Sequence, residues 1–392
     1  MKELSEILAA LRAGGAADGV SLVTVVAVEG STYRRPGARM LVTPAGRIGS
    51  ISGGCLEDDV CRKAWWLAER GPVVMTYDTG LDEDPGDRAS YALGCRGRVT
   101  VLIERLDDAT APYLRFIEEC QAAGKPCVVA TVIGVEGTYP AKIGDRLVCA
   151  ADHTARAEPA ADLLPELRAD VDAALRAMQS RQVRYELPSG RLQVLIELVP
   201  PPVQLIIFGA GHDAEPLVAM AKELGWRVSL VARRLLQGTR TRFARADQIV
   251  QLSADSISSI AKSGLSARAA AIIMSHDYAA DLAALSQVVA SDVAYIGVLG
   301  PRHRTDTLIS DIAAQGDEIS HEDMMRIHAP VGLDIGAESP EQVALAMIAE
   351  VQAFYAKRAG GPLKDRDGPI HDAIEGHRPA STAIDASCGL DS

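Results

Sequence analysis

No two of the seven cysteines stand at C-x-x-C spacing, and they are scattered along the chain. That excludes a zinc-ribbon or thioredoxin-type motif and a disulfide framework, and it fits reduced thiols of a cytoplasmic protein. A four-cysteine iron–sulfur spacing is also missing. Aromatic residues make up only 4% of the chain, too few for extended base-stacking platforms. Positive charge is not in excess: the formal net charge is −12, which argues against nucleic acid or an anionic membrane as a partner. No apolar run approaches the roughly 20 residues of a membrane span. Met1–Arg12 lacks the uninterrupted apolar core of a signal peptide, so the expected location is cytoplasmic.

What remains is an ordinary globular composition, 48% apolar and 23% charged over 392 residues. That length allows two domains with cores of their own. Val20–Val28 reads as a buried strand, and Arg39–Thr43 and Arg47–Ile51 as two more. Between the first two lies the Glu29–Gly37 loop with adjacent Arg34 and Arg35. After the third comes Gly53-Gly54-Cys55, leading into a helix predicted over Leu56–Arg70. Glycines let backbone approach a ligand closely, and a helix start favours a thiolate. The acidic run Glu57-Asp58-Asp59 opposes that thiolate. Two readings stay open: a sulfur or anion site, or a tight turn around a small buried cysteine. Cys61 falls on the apolar face of the helix and reads as core. The long polar segment Asp78–Gly97 places Cys95 beside glycines and Arg96, either as a functional loop or as a surface loop with an incidental thiol.

An internal repeat follows. Val28-Glu29-Gly30-Ser31 through Gly37 and Arg39 matches Val135-Glu136-Gly137-Thr138 through Gly144 and Arg146 at one constant offset. Both copies sit between β-rich runs, which predicts an N-terminal domain of two related β-units. Only the first copy continues into Gly-Gly-Cys.

The expected division is an N-terminal mixed α/β domain over 1–199, a Pro-rich linker over 200–203, a Rossmann-like domain over 204–356 and a disordered tail without periodicity over 357–392. The third segment opens with a buried strand, Gln204–Phe208, then Gly209-Ala210-Gly211-His212-Asp213-Ala214, a helix and a second strand. This is G-x-G-x-x-A in strand–turn–helix–strand context, the start of a doubly wound parallel sheet with a phosphate cradle. The acid that would hold an NAD ribose is missing, because Val231 is followed by Ala232-Arg233-Arg234. The arginines read as solvated charge or as partners of a phosphate, as in NADP or a nucleotide-bearing pterin. His276 lies at the carboxyl end of a further strand, where ligands bind in such sheets: an acid/base or ligand contact, or a turn histidine. Arg302 sits in a basic loop at the same end.

These residues together resemble the XdhC/CoxI family of molybdenum-cofactor maturation factors. The matching strings are EGSTYRRPGARMLV, GSISGGCLEDDV, LGCRGRV, LIIFGAGHDAEPL, SHDYAADL, YIGVLGPRHR and IHAPVGLDIGAESPEQVALAM, in order along the chain. The resemblance implies an α/β protein, an N-terminal domain joined to a Rossmann domain, often as a homodimer. It implies binding of the molybdenum cofactor (molybdopterin, in plain or nucleotide form), protection while a cysteine desulfurase supplies sulfur, and delivery to an apo molybdenum hydroxylase of the xanthine dehydrogenase type. It implies a cofactor-binding chaperone more than an independent enzyme. On that reading Cys55 contacts molybdenum or its sulfur beside Gly53, Gly54 and Cys95, while Arg34, Arg35 and Arg39 meet the pterin or its phosphate. Gly209, Ala210, Gly211, His212 and Asp213 cradle phosphate, with His276 and Arg302 nearby. The alternative is an NAD(P)-binding oxidoreductase with His276 as acid/base. Two departures from the family pattern stand out: Ala232 where an Asp is common, and Cys95-Arg96-Gly97 where many members have Cys-Gly-Gly.

Overall fold

The computed structural model describes residues 2–15, 19–30, 32–54, 56–78, 97–106, 112–152, 155–157, 165–234, 237–261, 265–316, 319–367, 370 and 375–378. They form two compact units. The N-terminal unit comprises residues 6–117, 127–199 and 372–392; the C-terminal unit comprises 1–5, 118–126 and 200–371.

Helix α1 (Lys2–Ala10) opens the chain. Strands β1 (Ser21–Gly30), β2 (Arg39–Thr43) and β3 (Gly46–Gly49) lead to helix α2 (Glu57–Leu67), then β4 (Val73–Asp78), β5 (Gly97–Arg105) and helix α3 (Pro112–Ala122). Strands β6 (Cys127–Gly137), β7 (Arg146–Ala150) and β8 (Ala155–Ala157) lead to helix α4 (Pro165–Ala177), then β9 (Arg181–Leu187) and β10 (Gly190–Val199). The first sheet has the order β3-β2-β1-β5-β4, and the second runs β8-β7-β6-β10-β9, extended by a parallel strand at Glu375–Arg378. The short sequence repeat is thus the visible part of a duplication of five strands and a helix. Each helix buries its apolar stripe on its own sheet: Val60, Ala64 and Ala68 against Val23, Val25 and Val101, and Leu167, Val171 and Ala174 against Val128, Ala130 and Val194.

The two sheets meet through equivalent residues. Val26 and Ile133 are the bulged residues of β1 and β6, each left out of its strand register. A bulge turns an extra side chain toward the neighbouring layer. Here the two pack with Leu102 and Leu195 in one small buried cluster. Around it the sheets exchange arginines. Arg39 of β2 donates to both oxygens of Glu197 on β10, at 2.7 and 2.6 Å. Arg146 of β7 reaches back to Glu104 on β5, which also accepts from the Tyr113 hydroxyl at 3.0 Å. Each arginine donates to the carbonyl two residues before it, Gly37 or Gly144.

The C-terminal unit holds β11 (Gln204–Phe208), α5 (Ala214–Glu223), β12 (Arg227–Ala232), α6 (Gln237–Arg242), β13 (Gln248–Gln251), α7 (Ser256–Ala261), β14 (Ala269–Ile273), α8 (Tyr278–Val289), β15 (Tyr295–Val298), α9 (Arg302–Ala314), α10 (His321–Arg326), β16 (Ile327–His328) and α11 (Pro340–Ala356). Its sheet is parallel in the order β13-β12-β11-β14-β15-β16. That is the doubly wound Rossmann order, with the switch point between β11 and β14. One face packs under α5 and α11 (Leu217, Val218, Met347, Val351), the other under α7, α8 and α9 (Ile257, Leu285, Leu308).

The unit also recruits short pieces distant in sequence. Arg227 donates to the carbonyl of Gln121 at 2.9 Å, Ala267 N–H to that of Gly124 at 2.9 Å, and Lys2 pairs with Glu223 at 2.8 Å. The Pro200–Pro202 stretch read as a linker is packed: Pro201, Pro202 and Val203 are buried, and the Pro202 carbonyl accepts from Ser266 Oγ at 2.9 Å. Gly209 shows why the turn after β11 needs glycine. Its φ is +138°, and a Cβ there would lie 2.5 Å from the Met274 carbonyl oxygen. Gly209→Ala is expected to destabilise this unit by about 2 kcal/mol, from backbone strain and loss of the β11–β14 approach. Urea denaturation checks this; an unchanged midpoint would contradict it.

Candidate functional site

Two regions carry the residues nominated from sequence, one in each unit. In the N-terminal unit it is the loop between β3 and α2. Glu57, 1% exposed, reaches back from the first residue of α2. Its Oε1 accepts the N–H groups of Ile51 and Ser52, at 3.1 and 2.8 Å. Its Oε2 accepts the Ser52 hydroxyl at 2.5 Å. Ser52 Oγ in turn accepts from the N–H groups of Gly54 and Leu56, at 3.2 and 3.3 Å. The loop is therefore latched from beneath by one carboxylate and one hydroxyl. Burial pushes the Glu57 carboxyl up, but the hydrogen bonds from Ser52 and Ile51 outweigh it and hold it below the usual carboxylate range.

Among the described residues, no atom lies within 4 Å of where a Cβ on Gly54 (φ +114°) would stand, and Gly53 faces Tyr33. Tyr33 is 75% exposed. Arg34 Nε donates to the Ser50 carbonyl at 3.1 Å, tying the Glu29–Gly37 loop to this one. Arg35 is half-buried, with no ion pair among the described residues. Arg39 does not join them. It is buried and spends both ends of its fork on Glu197, so the structure gives it a role in the sheet–sheet contact instead of an anion site. Asp58 pairs with Arg47 at 2.6 Å, and Asp59 with Lys63 at 2.7 Å, so two of the three acids after position 55 have cationic partners. Cys55 and Cys95, with the rest of the segment 79–96, lie outside the described residues.

In the C-terminal unit the site is the crevice at the carboxyl edge of the sheet. The turn Gly209–Asp213 leads into α5. Asp213 makes no side-chain cap; its Oδ2 pairs with His276 Nε2 at 2.7 Å. Two residues nominated separately are thus one pair. His276 stands at φ +58°, a left-handed conformation uncommon for a residue with a Cβ. A local constraint is visible: Ser275 bonds through N–H and Oγ to the buried carboxylate of Asp281, whose other oxygen accepts from Arg304 at 2.7 Å. Arg304, two residues after Arg302, is the basic residue that braces this loop, while Arg302 is exposed. Helical phase after Pro301 turns the third residue inward, a signal the sequence carried. His212 is exposed and lies 3.1 Å from Glu215.

The IHAPVG string also has a physical basis. Glu350 accepts from His328 Nδ1, the Tyr295 hydroxyl and Gly332 N–H at 2.9, 2.7 and 2.6 Å. Burial raises the Glu350 carboxyl, and these bonds outweigh it, leaving it below the usual range. Among the described residues no group of three or more His, Cys, Asp or Glu could hold a metal ion, and no helix is long and apolar enough to cross a membrane.

Residues 205–351 match the XdhC Rossmann domain, and residues 15–78 and 120–186 match the XdhC and CoxI family. The chain belongs to the XdhC/CoxI family. Among relatives of this XdhC/CoxI protein, one from Bacillus subtilis (strain 168), named as a probable subunit of xanthine dehydrogenase, is 29% identical over 336 residues, 84% of this chain and 91% of that one. An uncharacterized protein of Escherichia coli (strain K12), YqeB, is 24% identical over 180 residues, 46% of this chain and 32% of that one. A crystal structure described as a xanthine dehydrogenase from Bacillus halodurans superimposes with a TM-score of 0.70 at 25% identity, covering 94% of this chain and 98% of the other.

Proposed function

We propose that this XdhC/CoxI protein is a maturation factor for a molybdenum hydroxylase of the xanthine dehydrogenase type. It takes the molybdenum cofactor as cargo, shields it while a cysteine desulfurase supplies the terminal sulfur, and passes it to the apo-hydroxylase. The observation that carries this reading is the loop that leads to Cys55, latched from beneath by Ser52 and Glu57. A carrier needs a holding contact that it can release. The latch supplies rigidity beneath the loop, and among the described residues nothing but Tyr33 comes near a Cβ position on Gly53 or Gly54, where backbone can meet a bulky ligand closely. Arg47 and Lys63 balance Asp58 and Asp59, two of the three acids that follow position 55, and so weaken their opposition to a thiolate there. Arg35 and Tyr33 are the nearby side chains suited to an anionic, planar cargo. The names of the relatives from Bacillus point to the same client enzyme.

The test is transfer. The chain, purified from cells supplied with molybdate, is mixed with cofactor-free hydroxylase and the recovered activity is measured. Wild type is expected to restore activity. Cys55→Ala is expected to lose at least about ten-fold, the worth of one strong ligand contact. Equal transfer by both proteins removes Cys55 from the site; no transfer by wild type removes the delivery role.

A further inference from the structure

The arginine-lined crevice of the C-terminal unit is not needed to hold the cargo at the Cys55 loop, and its chemistry indicates a ligand of its own. We infer that it binds a dinucleotide whose adenosine ribose carries a 2′-phosphate, NADP(H) in preference to NAD(H). The crevice has a volume of about 500 Å³ and opens between the Gly209–Gly211 turn, the end of β12 and the start of α8. The turn and the first N–H groups of α5 form the pyrophosphate end, in the position the doubly wound fold reserves for it.

The discriminating end is where β12 stops. An NAD ribose presents a diol and needs an acceptor there. The residue present is Ala232, buried and without a polar side chain. Asp277 is the carboxylate that lines the crevice, and both its oxygens are engaged. Oδ1 caps α8 by accepting from Ala280 N–H at 2.9 Å, and Oδ2 accepts from Arg233. Donors, by contrast, are plentiful. Arg233, Arg234 and Arg242 all line the crevice. Arg242 is fixed in place, donating to the Ala210 carbonyl and lying 3.3 Å from Glu215. Arg234 is exposed and has no ion pair among the described residues. Three guanidinium groups stand against two carboxylates, Asp277 and Glu215, so the patch keeps one positive charge in excess in a chain of net charge −12. Guanidinium forks offer only donors, so they suit a phosphate dianion and cannot accept from a free 2′-hydroxyl. A cytidine or guanosine nucleotide attached to a pterin has such a free 2′-hydroxyl, and so does NAD.

The reading does not depend on cargo binding, and it is tested on the full chain without molybdenum. NADPH and NADH are titrated by fluorescence, and 2′,5′-ADP, 5′-AMP and CMP are used as competitors. NADPH is expected to bind at least about ten-fold more tightly than NADH, the worth of a charge-assisted contact. Only 2′,5′-ADP should displace it, and added salt should weaken NADPH more than NADH. Arg234→Ala, an exposed change that spares the fold, should abolish the preference by weakening NADPH alone. Ala232→Asp should shift it toward NADH. Equal affinities for NADPH and NADH, no saturable NADPH binding, or displacement by 5′-AMP or CMP as effective as by 2′,5′-ADP overturns the inference.

Discussion

Glu197→Ala is expected to destabilise the N-terminal unit by about 3–5 kcal/mol, the usual result of stranding one member of a buried ion pair. Arg39 would keep its charge in the interior with its Glu197 carboxylate partner gone; its side chain is 5% exposed. Glu104→Ala should act similarly, since it removes the buried carboxylate that Arg146 donates to and the acceptor of the Tyr113 hydroxyl. The paired replacement Arg39→Met with Glu197→Leu removes both charges and should recover most of the loss. Urea denaturation combined with hydrogen exchange of the β1 and β10 peptides localises the effect to this unit. A loss below about 1 kcal/mol for Glu197→Ala would mean that Arg39 is not locked in the sheet contact, and it would return as a candidate for binding the cargo.

Glu57→Ala is expected to have the largest effect on cargo binding among changes that spare Cys55. It leaves two N–H groups and the Ser52 hydroxyl without their acceptor. Each such orphan costs about 1–3 kcal/mol when buried, so local order of the loop should fall sharply. Molybdenum occupancy should drop at least about ten-fold, while the Rossmann unit keeps its stability. The pH dependence has a definite sign. The folded-state pKa of Glu57 is depressed below its unfolded value, so its stabilisation is fully present above the unfolded value. It is lost as pH falls through the folded value. Loop protection, followed by hydrogen exchange, should therefore hold through neutrality and fail in acid, and Glu57→Gln should flatten that profile. A Glu57→Ala protein that loads normally at pH 7 would show that the latch is dispensable.

The Rossmann unit was the most legible part of the chain. A buried strand, a glycine turn at fixed spacing and a following helix leave few alternatives, and the sheet order agrees with the expected doubly wound topology. The duplication was legible only at its turns. Loop glycines and arginines keep a constant offset because geometry demands them, whereas strand residues need only be apolar and have drifted. The partners of the two arginines show the same limit. Glu104 and Glu197 lie in equivalent strands but do not keep the offset of Arg39 and Arg146, so the constant offset does not align them. For that reason Arg39 reads from sequence as a free cation. Glu57 reads as a helix-start acid, and its backward reach to Ile51 and Ser52 depends on the loop's path, which local propensity does not encode. Residues 1–5 and 118–126 join the Rossmann unit through contacts far apart in sequence, which a division into consecutive segments cannot express.

The central claim is that this protein carries the molybdenum cofactor on its N-terminal unit. The most direct measurement is the molybdenum and pterin content of the full chain purified from cells supplied with molybdate. The wild-type protein is expected to carry the two in equal amounts, and Cys55→Ala to lose both together. Wild-type protein that carries neither, or Cys55→Ala protein that carries both undiminished, would contradict the claim.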